Sequence, residues 1–275
     1  LQAGIACADM ITTVSPTYAK EIQEAEGGFG LDGLLRVRSD VVKGILNGCD
    51  LETWNPKTDK LIPYNFDYKS MANKAKCKAE LQKRMGLPVR PDVPLIGIVT
   101  RLADQKGVAE IFAPNYGSIF NMCENMDLQF AILGSGERWC EDEINSLQSK
   151  LPNFRAYIGY DESLSHLIEA GSDFFLMPSK YEPCGLNQMY SMLYGALPIV
   201  RRTGGLADPV DQYNEATGDG TGFLFDNLTP GAVYDTVGWA VYAYYHKKEH
   251  IKAMQKRGMT KDFSWDQSAY GYTDV

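Results

Sequence analysis

Glu182, in Glu182-Pro183-Cys184-Gly185-Leu186, is the carboxylate whose neighbours best suit it to act on a ligand. The apolar run Phe174-Phe175-Leu176-Met177 precedes it, and Asn187-Gln188-Met189-Tyr190-Ser191-Met192-Leu193-Tyr194-Gly195 follows. An apolar run, a Pro/Gly turn and an apolar-periodic segment read as strand, loop and helix. In an open parallel sheet such a loop lies at the carboxyl edge, where ligands bind. The helix start behind it offers N–H groups and a positive dipole end, both suited to phosphate. An acid beside a phosphate seat fits a ligand with something polar hanging from its phosphate, such as the sugar of a nucleotide sugar. Taken alone, the segment reads equally well as an acidic turn that binds nothing.

Other loops supply matching chemistry. Arg101 and Lys106 lie five residues apart in Thr100-Arg101-Leu102-Ala103-Asp104-Gln105-Lys106-Gly107, after another apolar run. A planar guanidinium fork and an ammonium point charge can converge on one diphosphate. In Arg201-Arg202-Thr203-Gly204-Gly205-Leu206-Ala207-Asp208, Thr203 and Gly204 can wrap an anion with backbone N–H groups. The two arginines there alternate sides, so at most one faces a ligand while the other can pair with an acid. Tyr160, after Tyr157-Ile158-Gly159, can stack on a nucleobase, an interaction worth roughly 1–3 kcal/mol. Leu133-Gly134-Ser135-Gly136-Glu137 resembles half a dinucleotide fingerprint without its third glycine, and is weak support for a nicotinamide cofactor. Asn47-Gly48-Cys49-Asp50 reads first as a turn, with Asn47 near a domain junction. His166 reads as a helix-face residue, and His246 and His250 as surface residues. No Ser-His-Asp set or H-E-x-x-H occurs, and Cys184 lacks a convincing general base, which argues against proteolytic chemistry.

The elements that must position these residues alternate. Strands are predicted at 94–100, 128–133, 154–158, 174–177, 197–200 and 222–225. Helices are predicted near 75–85, 137–150, 164–170, 187–195, 232–245 and 249–257. The pattern defines an α/β fold, a doubly wound parallel sheet of the Rossmann-like kind. Before residue 58 the character differs: a short strand-helix piece (10–14, 17–23), a Gly-rich loop at 27–33, and a turn-rich stretch. The two prolines and polar residues of 55–65 suit a linker between domains. The expected organisation is the end of one domain and a linker at 1–57, a complete α/β domain at 58–261, and the start of a closing helix at 262–275.

At 275 residues the chain can bury a substantial core. A net charge of -8, from 27 Lys+Arg against 35 Asp+Glu, argues against nucleic acid as the main partner. Cys7, Cys49, Cys77, Cys123, Cys140 and Cys184 form no C-x-x-C pair, so neither zinc nor a redox motif is indicated. They read as reduced thiols in a cytosol-like compartment. No apolar run reaches the roughly 18 residues of a membrane span. The chain opens on Leu1 in mid-pattern and is expected to be a fragment.

Taken together, the motifs closely resemble those of glycogen and starch synthases, retaining glucosyltransferases that lengthen α-1,4-glucan from ADP-glucose. The matching blocks run in order along essentially the whole chain. They begin with Asp9-Met10-Ile11-Thr12-Thr13-Val14-Ser15-Pro16, Gly28-Phe29-Gly30-Leu31-Asp32-Gly33-Leu34-Leu35 and Gly44-Ile45-Leu46-Asn47-Gly48. They continue through the Arg101–Lys106 loop, Pro178-Ser179 with the Glu182 turn, the Arg201–Asp208 block and Phe263-Ser264-Trp265. The resemblance implies two Rossmann-like domains facing across a cleft, with this chain the C-terminal half of the enzyme, the nucleotide-sugar side. It implies that Arg101 and Lys106 hold the diphosphate and stabilise departing ADP, and that Glu182 is the acid at the donor sugar. It further implies adenine stacking on Tyr160, a cleft position near the sugar for Asn47, and ligand contacts at Cys184, Gly185, Leu186, Asn187, Thr203 and Gly204.

The substrates so implied are ADP-glucose and an α-1,4-glucan, with no metal and no cofactor. The expected compartment is a bacterial cytoplasm or a plastid stroma. Asn187 stands where many relatives carry Thr or Ile. Tyr190 stands where related retaining glycosyltransferases carry a second Glu, and it favours the glucan-elongating branch. The family's Lys-x-Gly-Gly-Leu motif is absent from the chain. The expectation is therefore weak ADP binding without elongation by this polypeptide alone. A non-catalytic nucleotide- or glucan-binding homologue is the alternative, and a nicotinamide oxidoreductase the third reading.

Overall fold

A computed structural model describes residues 1–273. Two parallel sheets form. The small one pairs β1 (Ile11–Thr13) with β2 (Val42–Gly44). The large one contains β3 (Leu95–Leu102), β4 (Gln129–Gly136), β5 (Phe154–Ile158), β6 (Phe174–Met177), β7 (Leu197–Arg201) and β8 (Phe223–Phe225). Its order is β5-β4-β3-β6-β7-β8, and every neighbouring pair is parallel. The chain builds outward from β3 to β5, then crosses back to lay β6 against the other side of β3. That reversal opens a crevice at the carboxyl ends of β3 and β6, the usual ligand position in such sheets.

Alternation along β3 explains the double winding. Ile96 and Ile98 face one core, with Phe112, Met122, Leu147 and Val237 from helices on that side. Leu95 and Val99 face the other, with Cys77, Leu81, Leu164 and Ile168. A strand buried on both faces must be apolar throughout, as these are. Helix starts are chemically marked: Asp161 accepts from Leu164 N at 2.9 Å, and Thr229 accepts from Ala232 N with Pro230 in the first turn.

Several elements depart from expectation. The Gly-rich stretch 27–33 runs into helix Asp32–Val37, and β2 and the helices Val108–Phe112 and Ile119–Asn125 were not foreseen. Strand β4 continues through Gly136, so its glycines lie within the sheet and not in a phosphate loop. A Cβ at Gly134 would stand 2.1 Å from Thr100 O, and one at Gly136 2.2 Å from Leu102 O. His166 is fully buried: its Nδ1 lies 2.7 Å from Asp59 Oδ2, and its ring stacks on Trp54 at 3.7 Å. The 55–65 stretch is likewise packed down, with Asp59 accepting from Tyr194 OH at 2.6 Å and Asn65 Nδ2 donating to Asp59 O at 2.7 Å. His250 meets the Tyr213 hydroxyl at 2.9 Å. The closing helix Trp265–Thr273 reaches the β2 exit, where Ser268 Oγ donates to Leu46 O at 2.6 Å. Residues 274 and 275 of the expected 262–275 segment lie outside the described residues. No helix among the described residues is long and apolar enough to cross a membrane.

Lys74 is buried between helices and donates to Ala170 O at 3.0 Å and Tyr194 O at 2.8 Å. Burial pushes its ammonium down to about 8. Between that value and the ordinary lysine range the unfolded chain binds more protons than the folded one, so this group makes stability rise with pH there. Lys74→Met is expected to flatten the stability profile from about pH 8 to 10, relative to the parent, by up to about 1.4 kcal/mol per pH unit. Parallel urea titrations of the two proteins check it, and identical slopes would remove Lys74 as the source.

Candidate active site

Strands β3 and β6 each deliver a loop to the crevice at the sheet's carboxyl edge. From β3 come Arg101 and the single-turn segment Asp104–Lys106, and from β6 come Pro178, Ser179 and Glu182. Gly185, Leu186 and Asn187, which open helix Asn187–Leu193, complete the wall of a cavity of about 390 Å³. Lys106 Nζ donates to Glu182 Oε2, and Ser179 Oγ donates to the same oxygen at 3.2 Å. Glu182 is only 7% exposed, so its carboxylate is held by an ammonium and a hydroxyl where water reaches poorly. Arg101 is exposed, and its guanidinium receives only local support from Gln105 Oε1 at 2.9 Å.

Backbone interlocks fix the two loops against each other and against the next one. Gly107 takes φ +68, and a Cβ there would stand 2.0 Å from Pro178 O. Gln105 O accepts from Lys180 N at 2.8 Å. Gly205 N donates to Glu182 O at 2.9 Å. Asn187 spends its side-chain amide on Val99 O at 2.9 Å, tying the helix start to the end of β3.

The residues singled out in sequence divide into three groups. Arg101, Lys106, Glu182, Gly185, Leu186 and Asn187 meet at the cavity. Asn47 and Cys184 lie beside each other next to it, and the Asn47 amides pull the Cys184 thiol down against the larger effect of burial. Burial pushes the Cys184 thiol up, which keeps it neutral. Thr203 and Gly204 do wrap an anion, and in this structure it is the protein's own Glu21. Thr203 Oγ1 donates to Glu21 Oε1 at 3.0 Å and Gly204 N to the same oxygen at 2.9 Å. Arg202 pairs with Asp226, while Arg201 donates to the carbonyls of Asp226 and Lys180. Tyr160 stands apart at the end of edge strand β5, 85% exposed, with its ring free and outside the cavity wall.

Sequence reasoning assigned no role to Ser179, Gln105 or Glu21. Ser179 stood within a matched motif, and a hydroxyl three residues before an acid was a readable signal. Glu21 had none, because its partners lie at the far end of the chain. Among the described residues no group of three His, Cys, Asp or Glu is arranged to hold a metal ion.

A strand-order reversal with two cations and a buried acid at its carboxyl edge defines a doubly wound α/β domain with a candidate ligand site there. The chain belongs to the family described as Glycosyl transferases group 1, whose match covers residues 81–257. Residues 1–37 match a second family, Starch synthase catalytic domain. The chain is 58% identical to a glycogen synthase of Treponema denticola over 275 residues, all of this chain and 56% of the relative. It is 44% identical to soluble starch synthase 1 of Solanum tuberosum, again over all of this chain but 43% of the relative. Among solved structures, the catalytic domain of Arabidopsis thaliana starch synthase IV bound to ADP and acarbose superposes with a TM-score of 0.89 at 36% identity. That match covers 99% of this chain and 56% of the other. The chain thus spans about half the length of the relatives it matches.

Proposed function

We propose that the chain carries the donor half-site of a glycogen or starch synthase, transferring glucose with retention from ADP-glucose to the non-reducing end of an α-1,4-glucan. One observation carries the reading: Arg101, Lys106 and Glu182 converge on a single cavity at the reversal of strand order. The leaving group in such a transfer is a diphosphate, whose charge grows as the glycosidic bond breaks. Arg101 and Lys106 supply fixed positive charge there, and such preorganised charge is usually the largest catalytic contribution. Glu182, held by Lys106 and Ser179, brings negative charge toward an oxocarbenium-like carbon or grips sugar hydroxyls. Tyr160, exposed past the end of edge strand β5 and outside the cavity wall, is the surface proposed for the adenine. No metal or cofactor belongs to the proposal.

The binding of ADP to a starch synthase of the same fold and the 58% identity to a glycogen synthase over the whole of this chain support the choice of nucleotide and acceptor. Calorimetric titration tests it. ADP is expected to bind in preference to UDP, and Arg101→Ala to weaken ADP about tenfold or more, because a hydrogen bond to a charged group contributes about 1.5–3 kcal/mol. Arg101 is exposed and makes only a local contact, so the variant stays folded. Equal ADP affinity in parent and variant would overturn the assignment.

A further inference from the structure

Two short helices clasp each other at both ends beside the Glu182 turn. Helix Pro16–Glu21 belongs to the N-terminal segment, and helix Gly204–Ala207 to the loop after β7. At one end Asp208, just past the second helix, takes the donors at the start of the first. Ser15 Oγ and Thr17 Oγ1 each donate to it at 2.5 Å, and Thr17 N at 3.2 Å. At the other end Glu21, the last residue of the first helix, takes the donors at the start of the second. Thr203 Oγ1 and Gly204 N share its Oε1. The two ends are alike in chemistry and differ in what lies beyond them.

Beyond the Glu21 end lies the backbone of Glu182. Gly204 takes φ +43, and a Cβ there would stand 1.9 Å from Glu182 O. The next amide, Gly205 N, donates to that same oxygen at 2.9 Å. Gln188, fully buried, ties the two turns together again, with Nε2 donating to Gly205 O at 2.8 Å and Gly185 O at 3.0 Å. The turn that Glu21 holds therefore touches Glu182 through backbone, with no side chain between them to absorb a shift. Thr203 and Gly204 are buried, so without Glu21 their donors lose an acceptor that water does not readily replace. Glu21 is itself fixed from behind, since a Cβ at Gly27 would stand 2.3 Å from Glu21 O. The bonds at the Asp208 end involve no residue of the Glu182 turn.

We propose that Glu21 is a positioning residue for the transfer: its carboxylate sets the 203–205 turn, and that turn sets the Glu182 carboxylate. The proposal rests on the donor-site reading for what Glu182 does. Glu21 does not line the cavity, so its effect reaches the reaction only through the placement of Glu182. A misplacement of about 1 Å at a reacting group lowers turnover on the order of 10²-fold.

The test reads hydrogen exchange at the Gly205 amide by NMR in the 275-residue chain, and kcat and KM in the full-length protein. Glu21→Ala is expected to speed Gly205 exchange about tenfold or more, because the turn loses two bonds to a carboxylate. Its kcat falls on the order of 10²-fold while KM for ADP-glucose stays at the parental value. Glu21→Gln keeps an acceptor oxygen and recovers most of both. Thr17→Ala loosens the Asp208 end of the same clasp, and lowers the melting temperature without changing Gly205 exchange or kcat. Parental Gly205 exchange in Glu21→Ala, or equal changes in Glu21→Ala and Thr17→Ala, overturns the positioning role. Exchange that responds as expected, in a protein whose full-length parent transfers no glucose from ADP-glucose, overturns the donor-site reading and leaves the coupling of Glu21 to Glu182 standing.

Discussion

Lys106→Ala is expected to cut glucosyl transfer sharply and also to destabilise the fold, while Lys106→Ala combined with Glu182→Gln recovers stability without recovering activity. Lys106 is asked to do two things at once. In the structure it is the counterion of a carboxylate that is nearly out of water. In the proposed transfer it faces the diphosphate of the donor. Its removal leaves Glu182, among the described residues, with the Ser179 hydroxyl alone, and stranding one member of a buried pair costs about 3–5 kcal/mol where burial is complete. The Lys106 side chain retains 18% exposure, which puts the loss below that range. Transfer in the full protein should fall by about 10²–10³, the usual effect of removing one group that stabilises leaving-group charge. Thermal unfolding and initial rates on the two single variants and the double variant complete the cycle. If the double variant is no more stable than Lys106→Ala, the ion pair is not what holds Glu182. If Lys106→Ala keeps parental turnover, the diphosphate assignment fails.

The contrast between what the sequence disclosed and what it hid follows the range of the interactions involved. Strands β5 and β6 match their predicted bounds because each is a short apolar run closed by Gly or Pro signals on either side. Arg101, Lys106 and Glu182 were legible because each follows such a run, and strand ends in an open parallel sheet set loops at one edge. Strand β2 escaped notice because Val42-Lys43-Gly44 is three residues long and carries no alternation. The loop at 55–65 was read as a linker from its prolines. Its neighbour Trp54, sandwiched between His166 and Tyr190 with centroids 3.7 and 4.2 Å away, packs it onto the α/β domain. That stack also gives Tyr190 a structural use. Thr203 and Gly204 show the same limit. Their anion-wrapping chemistry was readable locally, but their partner Glu21 lies 183 positions from Gly204 in sequence. Tyr160 lies two strands from the cavity on the edge of the sheet, a separation that depends on strand order rather than on any local pattern.

Gly205→Ala is expected to cost as much activity as losing a charged residue, although it adds one methyl group and touches no ligand. A Cβ at Gly205 would stand 1.8 Å from Cys184 O and 2.4 Å from Cys184 C, both backbone atoms that cannot swing aside. Its amide also donates to Glu182 O at 2.9 Å. The methyl group can be accommodated only by pushing the 182–185 turn away from the 203–205 turn, and that displacement carries the Glu182 carboxylate with it. Overpacking of this kind costs about 1–3 kcal/mol in stability, and a misplacement of about 1 Å can lower turnover on the order of 10²-fold. Gly231→Ala is the matched control, because an added Cβ there meets nothing within 4 Å. The expected pattern is a lowered melting temperature and much-reduced transfer for Gly205→Ala, with Gly231→Ala keeping parental transfer and an equal or slightly higher melting temperature. ADP affinity separates displacement of the acid from collapse of the whole site. The Arg101–Lys106 loop is braced by Gly107 against Pro178 and by Gln105 against Lys180, neither of which involves Gly205. Gly205→Ala should therefore retain most of its ADP binding while losing transfer. Parental turnover in that variant would mean that the 182–185 turn is free to shift, and that the position of Glu182 does not depend on the Thr-Gly-Gly turn packed beneath it.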